Sequence, residues 1–247
     1  MFKVESNPLS SEMTALDHQV DNGKNAPFPK SNFLYLIVGG IGSGKTTTAL
    51  RLLKIPKENG GFRKAFHRIY IVSPTAKYDN KWDRLVNEVD SEGNYYTECN
   101  DETIGEIIEK IEGYNEEFKE EHKGQKGKSP NNLVIIDDCV DSLTKRKKSK
   151  LDKLILTLRH LKTTVFLMSQ KLNSIPTLIR AQARCITFFP TINKREEHTF
   201  FNEINIDEEL FKKIMDFCCT GDDHPFLHTK LGEGKPIFFK KYDRILL

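Results

Sequence analysis

Gly39-Gly40-Ile41-Gly42-Ser43-Gly44-Lys45-Thr46 is the stretch whose reading decides the fold. It fits G-x-x-x-x-G-K-[ST], and its flanks give that pattern physical meaning. Before it runs Phe33-Leu34-Tyr35-Leu36-Ile37-Val38, an apolar segment of strand length, and after it Thr47-Thr48-Ala49-Leu50-Arg51-Leu52-Leu53-Lys54 reads as a helix. Strand, glycine loop and helix together make a phosphate-binding P-loop. The glycines let successive backbone N–H groups of residues 39–47 curl around phosphate oxygens, and the helix N-terminus adds positive potential. Lys45 is then expected on the β- and γ-phosphates, with the Thr46 hydroxyl offered to Mg²⁺. The expected ligand is ATP with its magnesium ion, cradled by Gly39, Gly40, Ile41, Gly42, Ser43, Gly44, Lys45, Thr46 and Thr47.

Further along, Leu133-Val134-Ile135-Ile136 is a buried strand bounded by Asn131-Asn132 and Asp137-Asp138. An aspartate ending such a strand sits at the carboxyl rim of the sheet, beside the P-loop. Asp137 is therefore read as the Walker B ligand of Mg²⁺, and Asp138 as the base that orients and deprotonates the attacking water. Two more strands frame this one, His67 to Ser73 and Thr163 to Met168. The second ends in Ser169-Gln170, a polar tip suited to sensing the γ-phosphate, with Gln170 preferred. In motor-type P-loop ATPases an extra strand separates the P-loop strand from the Walker B strand, and the strand at 67–73 is read as intervening. Continuous apolar strands alternating with helices predict a mainly parallel sheet covered on both faces, with helices near 81–90, 102–121, 149–161, 175–183, 194–203 and 207–218. Strands at 225–230 and 236–240 read as a small terminal hairpin. Residues 1–31, broken by prolines and glycine, read as an extended arm before a single domain at 32–247.

The 247 residues, 38% hydrophobic and 30% charged, suit one soluble α/β domain. A net charge of +3 is too small to argue for nucleic acid by itself. Five cysteines without a paired framework fit a reducing compartment. No apolar run approaches a membrane span, and the N-terminal residues do not read as a signal-peptide core.

The ordered set GGIGSGKTT, LVIIDDC, RHLKTTVFLMSQ and SIPTLIRAQARCITFF resembles the viral genome-packaging ATPases of the FtsK–HerA superfamily, over about residues 33–190. That resemblance implies the additional-strand type of P-loop fold. It also implies a homo-oligomeric ring, pentamer or hexamer, with ATP at each subunit interface. Such a ring drives double-stranded DNA into a preformed capsid, with capsid or portal-vertex proteins as partners, in host cytoplasm or a viral factory and in association with the virion. Asp138 departs from the wider superfamily, where glutamate is commoner. A cellular-type DNA-translocating ATPase and a non-hydrolysing, ATP-gated assembly module are the alternative readings. A small-molecule kinase is disfavoured by the intervening strand and the acid pair.

A ring motor needs positive charge at the γ-phosphate in the transition state, and an arginine finger supplies it. Arg159, whose spacing after Asp138 resembles that of packaging motors, is the favoured finger, with Arg180 and Arg184 as the alternatives. Lys145, Arg146, Lys147, Lys148 and Lys150 form a basic run suited to sequence-independent contact with DNA phosphates. A second basic loop holds Lys123, Lys126 and Lys128. Cys218, Cys219, His224 and His228 match no common zinc spacing and read as core cysteines and hairpin histidines. Cys139 and Cys185 likewise read as core, the paired phenylalanines as packing, and Trp82 carries no signal.

Overall fold

In the computed structural model the described residues are 3–5, 27–29, 31–125, 128–139, 149–221, 223–231 and 235–247. The P-loop strand β2 (Leu34–Val38) is buried at every position, which a parallel strand between two helical layers requires. Its side chains alternate between two cores. Leu34, Leu36 and Val38 join the cluster on one face, while Tyr35 and Ile37 join the cluster on the other. The strands β3 (Arg68–Val72), β4 (Tyr95–Tyr96), β5 (Asn132–Asp137), β6 (Thr163–Ser169) and β7 (Ala183–Phe188) run parallel to it. An antiparallel extension follows β7: β8 (Leu227–Lys230), β9 (Ile237–Lys240) and β10 (Asp243–Leu246). The N-terminal β1 (Lys3–Glu5) pairs with β10, so the sheet reads β1-β10-β9-β8-β7-β2-β6-β5-β3-β4.

Helix α1 (Lys45–Lys54) and α2 (Asp83–Ser91) cover one face. The other is covered by α3 (Asp101–Glu121), α4 (Lys150–Leu156), α6 (Lys194–Ile204) and α7 (Glu208–Cys219), with the short α5 (Thr177–Arg180) between. Local chemistry sets their starts. Asn100 accepts from Thr103 N ahead of α3, Asp207 accepts from Leu210 N ahead of α7, and Ser149 and Asp152 form a reciprocal capping box at α4. Phe188 stacks on Phe200 at 4.4 Å, and Phe238 and Phe239 are buried, so these phenylalanines pack the core. No helix among the described residues is long and apolar enough to cross a membrane.

The expected sheet, mainly parallel and flanked by helices, is the one found, with four corrections. The strand between the P-loop strand and the Walker B strand is β6; β3 lies beyond β5, on its far side. The terminal pair of strands is part of a meander continuous with the central sheet and includes β10. The expected helices at 149–161 and 175–183 are shorter, because residues 157–162 turn back to start β6 and Ile175-Pro176 delays α5. Finally, Cys99 and Cys139, 40 residues apart, form a disulfide with Cα atoms 6.0 Å apart, where unpaired thiols were expected. Both lie at the carboxyl rim, after β4 and β5, the two strands that flank β3.

Candidate functional site

Parallel strands end on one rim, so the loops after β2, β3, β5, β6 and β7 share it. Gly39 N donates to Ser169 O at 3.1 Å, which holds the P-loop against the end of β6. A side chain on Gly39 would lie 2.6 Å from Ser43 Oγ and 2.7 Å from Phe189 Cβ, so only glycine fits there. Gly44, at φ +107°, precedes α1 in a left-handed conformation that glycine adopts without penalty. The first turn of α1 leaves N–H groups without intrahelical acceptors, which is the basis of its pull on anions. Lys45 Nζ donates to Gly39 O at 2.7 Å and Gly40 O at 3.0 Å. Burial lowers the Lys45 pKa, while Asp138 and Asp137 act to raise it.

Asp137 closes β5 and is 5% exposed. Burial first, then the neighbouring Asp138 charge, pushes its carboxyl up to about 6, against the pull of Lys45; Asp79 adds to the rise. Asp138 N still pairs with Met168 O at 3.1 Å, and the residue then turns into the left-handed region at φ 54°. Aspartate tolerates that conformation better than most side chains. The turn takes the Asp138 carboxylate off the strand, where it accepts a hydrogen bond from Gln170 Nε2. Ser169, the lesser sensor, instead shapes the turn: its hydroxyl accepts from Lys171 N at 3.2 Å and donates to Lys171 O at 2.9 Å.

Lys45, Thr46, Thr47, Asp137, Asp138 and Gln170 thus line one cleft of about 650 Å³. The same cleft takes in residues that sequence reasoning missed or set aside: Asp79 and Trp82 beyond β3, and His224, Phe226 and Lys241 at the turns of the meander. These come from distant segments, and no motif links them to the P-loop. The rim order explains their places. The acids stand on the β5 side of the P-loop, and His224 stands on the β8 side, its ring less than 4 Å from where a Gly44 side chain would be.

The three arginines considered for the finger are elsewhere. Arg159, Arg180 and Arg184 line a second cleft of about 700 Å³ at the opposite, amino edge of the sheet, with Phe33 and Leu34 at the start of β2. Arg180 is engaged within its own chain: Nε donates to Glu203 Oε1 at 2.6 Å and Nη1 to Ile175 O at 2.6 Å. Arg159 is exposed on the turn after α4 and pairs with no carboxylate among the described residues. Lys145, Arg146, Lys147 and Lys148, like Lys126, lie outside the described residues; Lys150 opens α4, its N–H bound to Asp101 Oδ1 at 2.9 Å. His228 is buried within the meander, and its Nδ1 pairs with Thr187 Oγ1 at 2.9 Å.

A phosphate loop separated from its acid pair by one strand, with a polar residue at that strand's tip, defines a P-loop ATPase of the additional-strand class. The chain belongs to the Poxvirus A32 protein family, whose profile matches residues 24–219. The resemblance to viral packaging ATPases of the FtsK–HerA type is thereby borne out. No curated protein matches the chain. Among solved structures it is similar to the genome packaging NTPase B204 of Sulfolobus turreted icosahedral virus 2 in complex with ATP-gammaS. Identity there is 15% and the TM-score 0.55, covering 85% of this chain and 98% of that one. The DNA-packaging ATPase B204 of Sulfolobus turreted icosahedral virus gives 16% identity and a TM-score of 0.54, over 86% and 98%. ATPases 2 and 3 of EssC from Geobacillus thermodenitrificans give 15% and 0.51, over 87% of this chain and 39% of that one. At such identities the likeness is one of fold.

Proposed function

We propose that this protein is a ring motor that hydrolyses ATP to drive double-stranded DNA into a preformed viral capsid. The observation that carries the reading is the Gln170–Asp138 hydrogen bond across the end of β6, within the P-loop cleft. An ATP-gated assembly module has no use for a base tied to a γ-phosphate sensor; a hydrolase does. The family and the fold shared with B204 support the packaging role.

The residues fit the triphosphate and its metal. Ser43 Oγ is buried in the loop with no hydrogen-bond partner among the described residues, and a side chain added at Gly40 or Gly42 would meet nothing within 4 Å of them, which leaves an open cradle. Asp137 is a buried carboxylate whose charge calls for a cation. Thr46 and Asp137 would hold Mg²⁺, which when bound neutralises phosphate charge. Lys45 and the loop amides bind the phosphates, Asp138 orients and deprotonates water, and Gln170 holds Asp138 in register. Arg159 acts on the site of an adjacent subunit. The run Lys145, Arg146, Lys147, Lys148 and Lys150 neutralises DNA phosphates irrespective of sequence. Capsid or portal-vertex proteins are the further partners, and host cytoplasm or the viral factory is the place of action, with association to the virion.

The test is turnover with and without duplex DNA. Wild-type protein is expected to hydrolyse ATP faster with DNA, and Asp138→Asn to bind ATP yet lose hydrolysis, by roughly 10²-fold or more as general-base losses go. Unchanged turnover in Asp138→Asn removes it from the base role, and turnover indifferent to DNA removes the motor.

A further inference from the structure

Glu196 is an acid in the wrong place for a surface helix. It belongs to the first turn of α6 and is 6% exposed, outside the nucleotide cleft. A buried carboxylate is costly unless hydrogen bonds fill its lone pairs. Here they come from one short segment. Oε2 accepts from Leu172 N at 2.6 Å and Asn173 N at 3.1 Å, and Oε1 accepts from Asn173 Nδ2 at 2.8 Å. Thr199, one helical turn on, donates to Asn173 Oδ1 at 2.7 Å. Leu172 is two residues beyond Gln170.

The far end of the same loop is tied to the same helix. Arg180 donates to Ile175 O and, through Nε, to Glu203 of α6. Loop 171–176 therefore has fixed attachments to α6 at both ends, while Ser169 and Ser174 bridge its base through their hydroxyls at 3.1 Å. The N–H groups that Glu196 holds lie two and three residues beyond Gln170, on the backbone that leaves β6 and carries the Gln170 side chain to Asp138.

We propose that Glu196 is a positioning residue for the γ-phosphate sensor, orienting Gln170 toward Asp138 by gripping the backbone at Leu172 and Asn173. The inference rests on the hydrolytic reading above and assigns a role to a residue outside the nucleotide cleft. Charge matters to the grip. A carboxylate accepts on both oxygens, whereas the amide introduced by Glu196→Gln would present a donor to Asn173 Nδ2 and lose one of the three bonds. Displacement of a catalytic group by about 1 Å can lower turnover on the order of 10²-fold, so even partial loosening should register.

The experiment is a double-mutant cycle on the 247-residue chain, with kcat from steady-state hydrolysis and ATP affinity from equilibrium titration with a fluorescent ATP analogue. Glu196→Ala is expected to lower kcat roughly tenfold or more while affinity stays within about twofold, and Glu196→Gln to fall between it and wild type. In a Gln170→Ala background the same changes should have under about a twofold effect, because the side chain being positioned is gone. A purely structural residue would lower kcat equally in both backgrounds, and that additivity overturns the inference. So does a loss confined to ATP affinity. If Glu196→Ala does not fold, Glu196→Gln in the two backgrounds decides by the same criterion. Absence of hydrolysis by the wild-type protein overturns both this inference and the function it rests on; additivity in an active protein overturns this inference alone.

Discussion

Asp137 states the problem that the P-loop cleft solves. The fold buries a carboxylate beside a second one, and its proton is held up to about 6 against the ordinary 3.8. The sign follows from linkage. The folded chain binds this proton more tightly than the unfolded chain, so stability falls as pH rises from about 4 to about 6, and the penalty is complete above that. Asp137→Asn removes the charge and leaves the shape. Without nucleotide, the variant is expected to melt higher than wild type at pH 7.5, by roughly 1–3 kcal/mol of stability, and to lose the corresponding slope between pH 4 and 6. It should also lose magnesium-dependent ATP binding. Thermal melts across pH with and without Mg²⁺ and ATP check both parts, and equal melting at pH 7.5 would show the acid is not strained in the folded chain. The gain in stability with loss of ligand is the signature of a residue placed for the ligand rather than for the fold.

At the scale of elements, what was legible in the chain is what is contiguous in it. Residues 39–47 announce themselves because glycine spacing, lysine and threonine act on one ligand through consecutive amides. Asp137, Asp138 and Gln170 follow from the rule that parallel strands end on a common rim. The rank of the strands was not legible. β3, β5 and β6 are each short apolar runs, and nothing in their composition says that β6 inserts beside β2 while β3 goes outside. The Cys99–Cys139 bridge was hidden for the same reason: its halves are neighbours only once β4 and β5 stand on either side of β3. Glu196 gave no signal, since an acid in a first helical turn is ordinary. The structure also separates arginines that look alike in sequence. Arg180, with its side chain 13% exposed and bound to Glu203 and a loop carbonyl, is a brace between α5 and α6. Arg180→Ala is expected to lower the melting temperature through lost charge-assisted bonds of roughly 1–3 kcal/mol. Arg159→Ala, on an exposed turn, should leave melting unchanged. Equal melting of the two variants by calorimetry would contradict that division.

The whole molecule is closed by a buried polar seam and divided by its two edges. His228 Nε2 meets Pro27 O at 3.0 Å and its Nδ1 meets Thr187, which bonds Tyr35 at 2.6 Å. The N-terminal arm, the meander and the P-loop strand are thereby joined. Burial holds the His228 proton down to about 4, so its contribution to stability is complete above pH 6.5 and is lost as pH falls from 6.5 through 4. His228→Gln is expected to melt lower at neutral pH but to lose less on acidification, and an unchanged pH slope would remove His228 as the cause. The edges matter for catalysis. Acids and P-loop stand on the carboxyl rim and the three arginines on the amino rim, so the strands of the sheet separate the two sets within one chain. In the proposed ring, head-to-tail association would bring them together, because each subunit would show its amino rim to a neighbour's cleft. Arg159→Ala alone leaves every interface without its arginine, and Asp138→Asn alone leaves every interface without its base. Mixed in equal amounts before assembly, the two inactive chains should regenerate intact pairs at about a quarter of the interfaces, and hydrolysis should return in proportion. If Arg159 is the finger, Arg180→Ala and Arg184→Ala chains should hydrolyse ATP on their own, and mixing either with Asp138→Asn should only dilute that activity. An Arg184→Ala chain that is inactive alone and rescued by Asp138→Asn would move the role to Arg184, and an arginine variant inactive alone that no mixing rescues would confine hydrolysis to the single subunit.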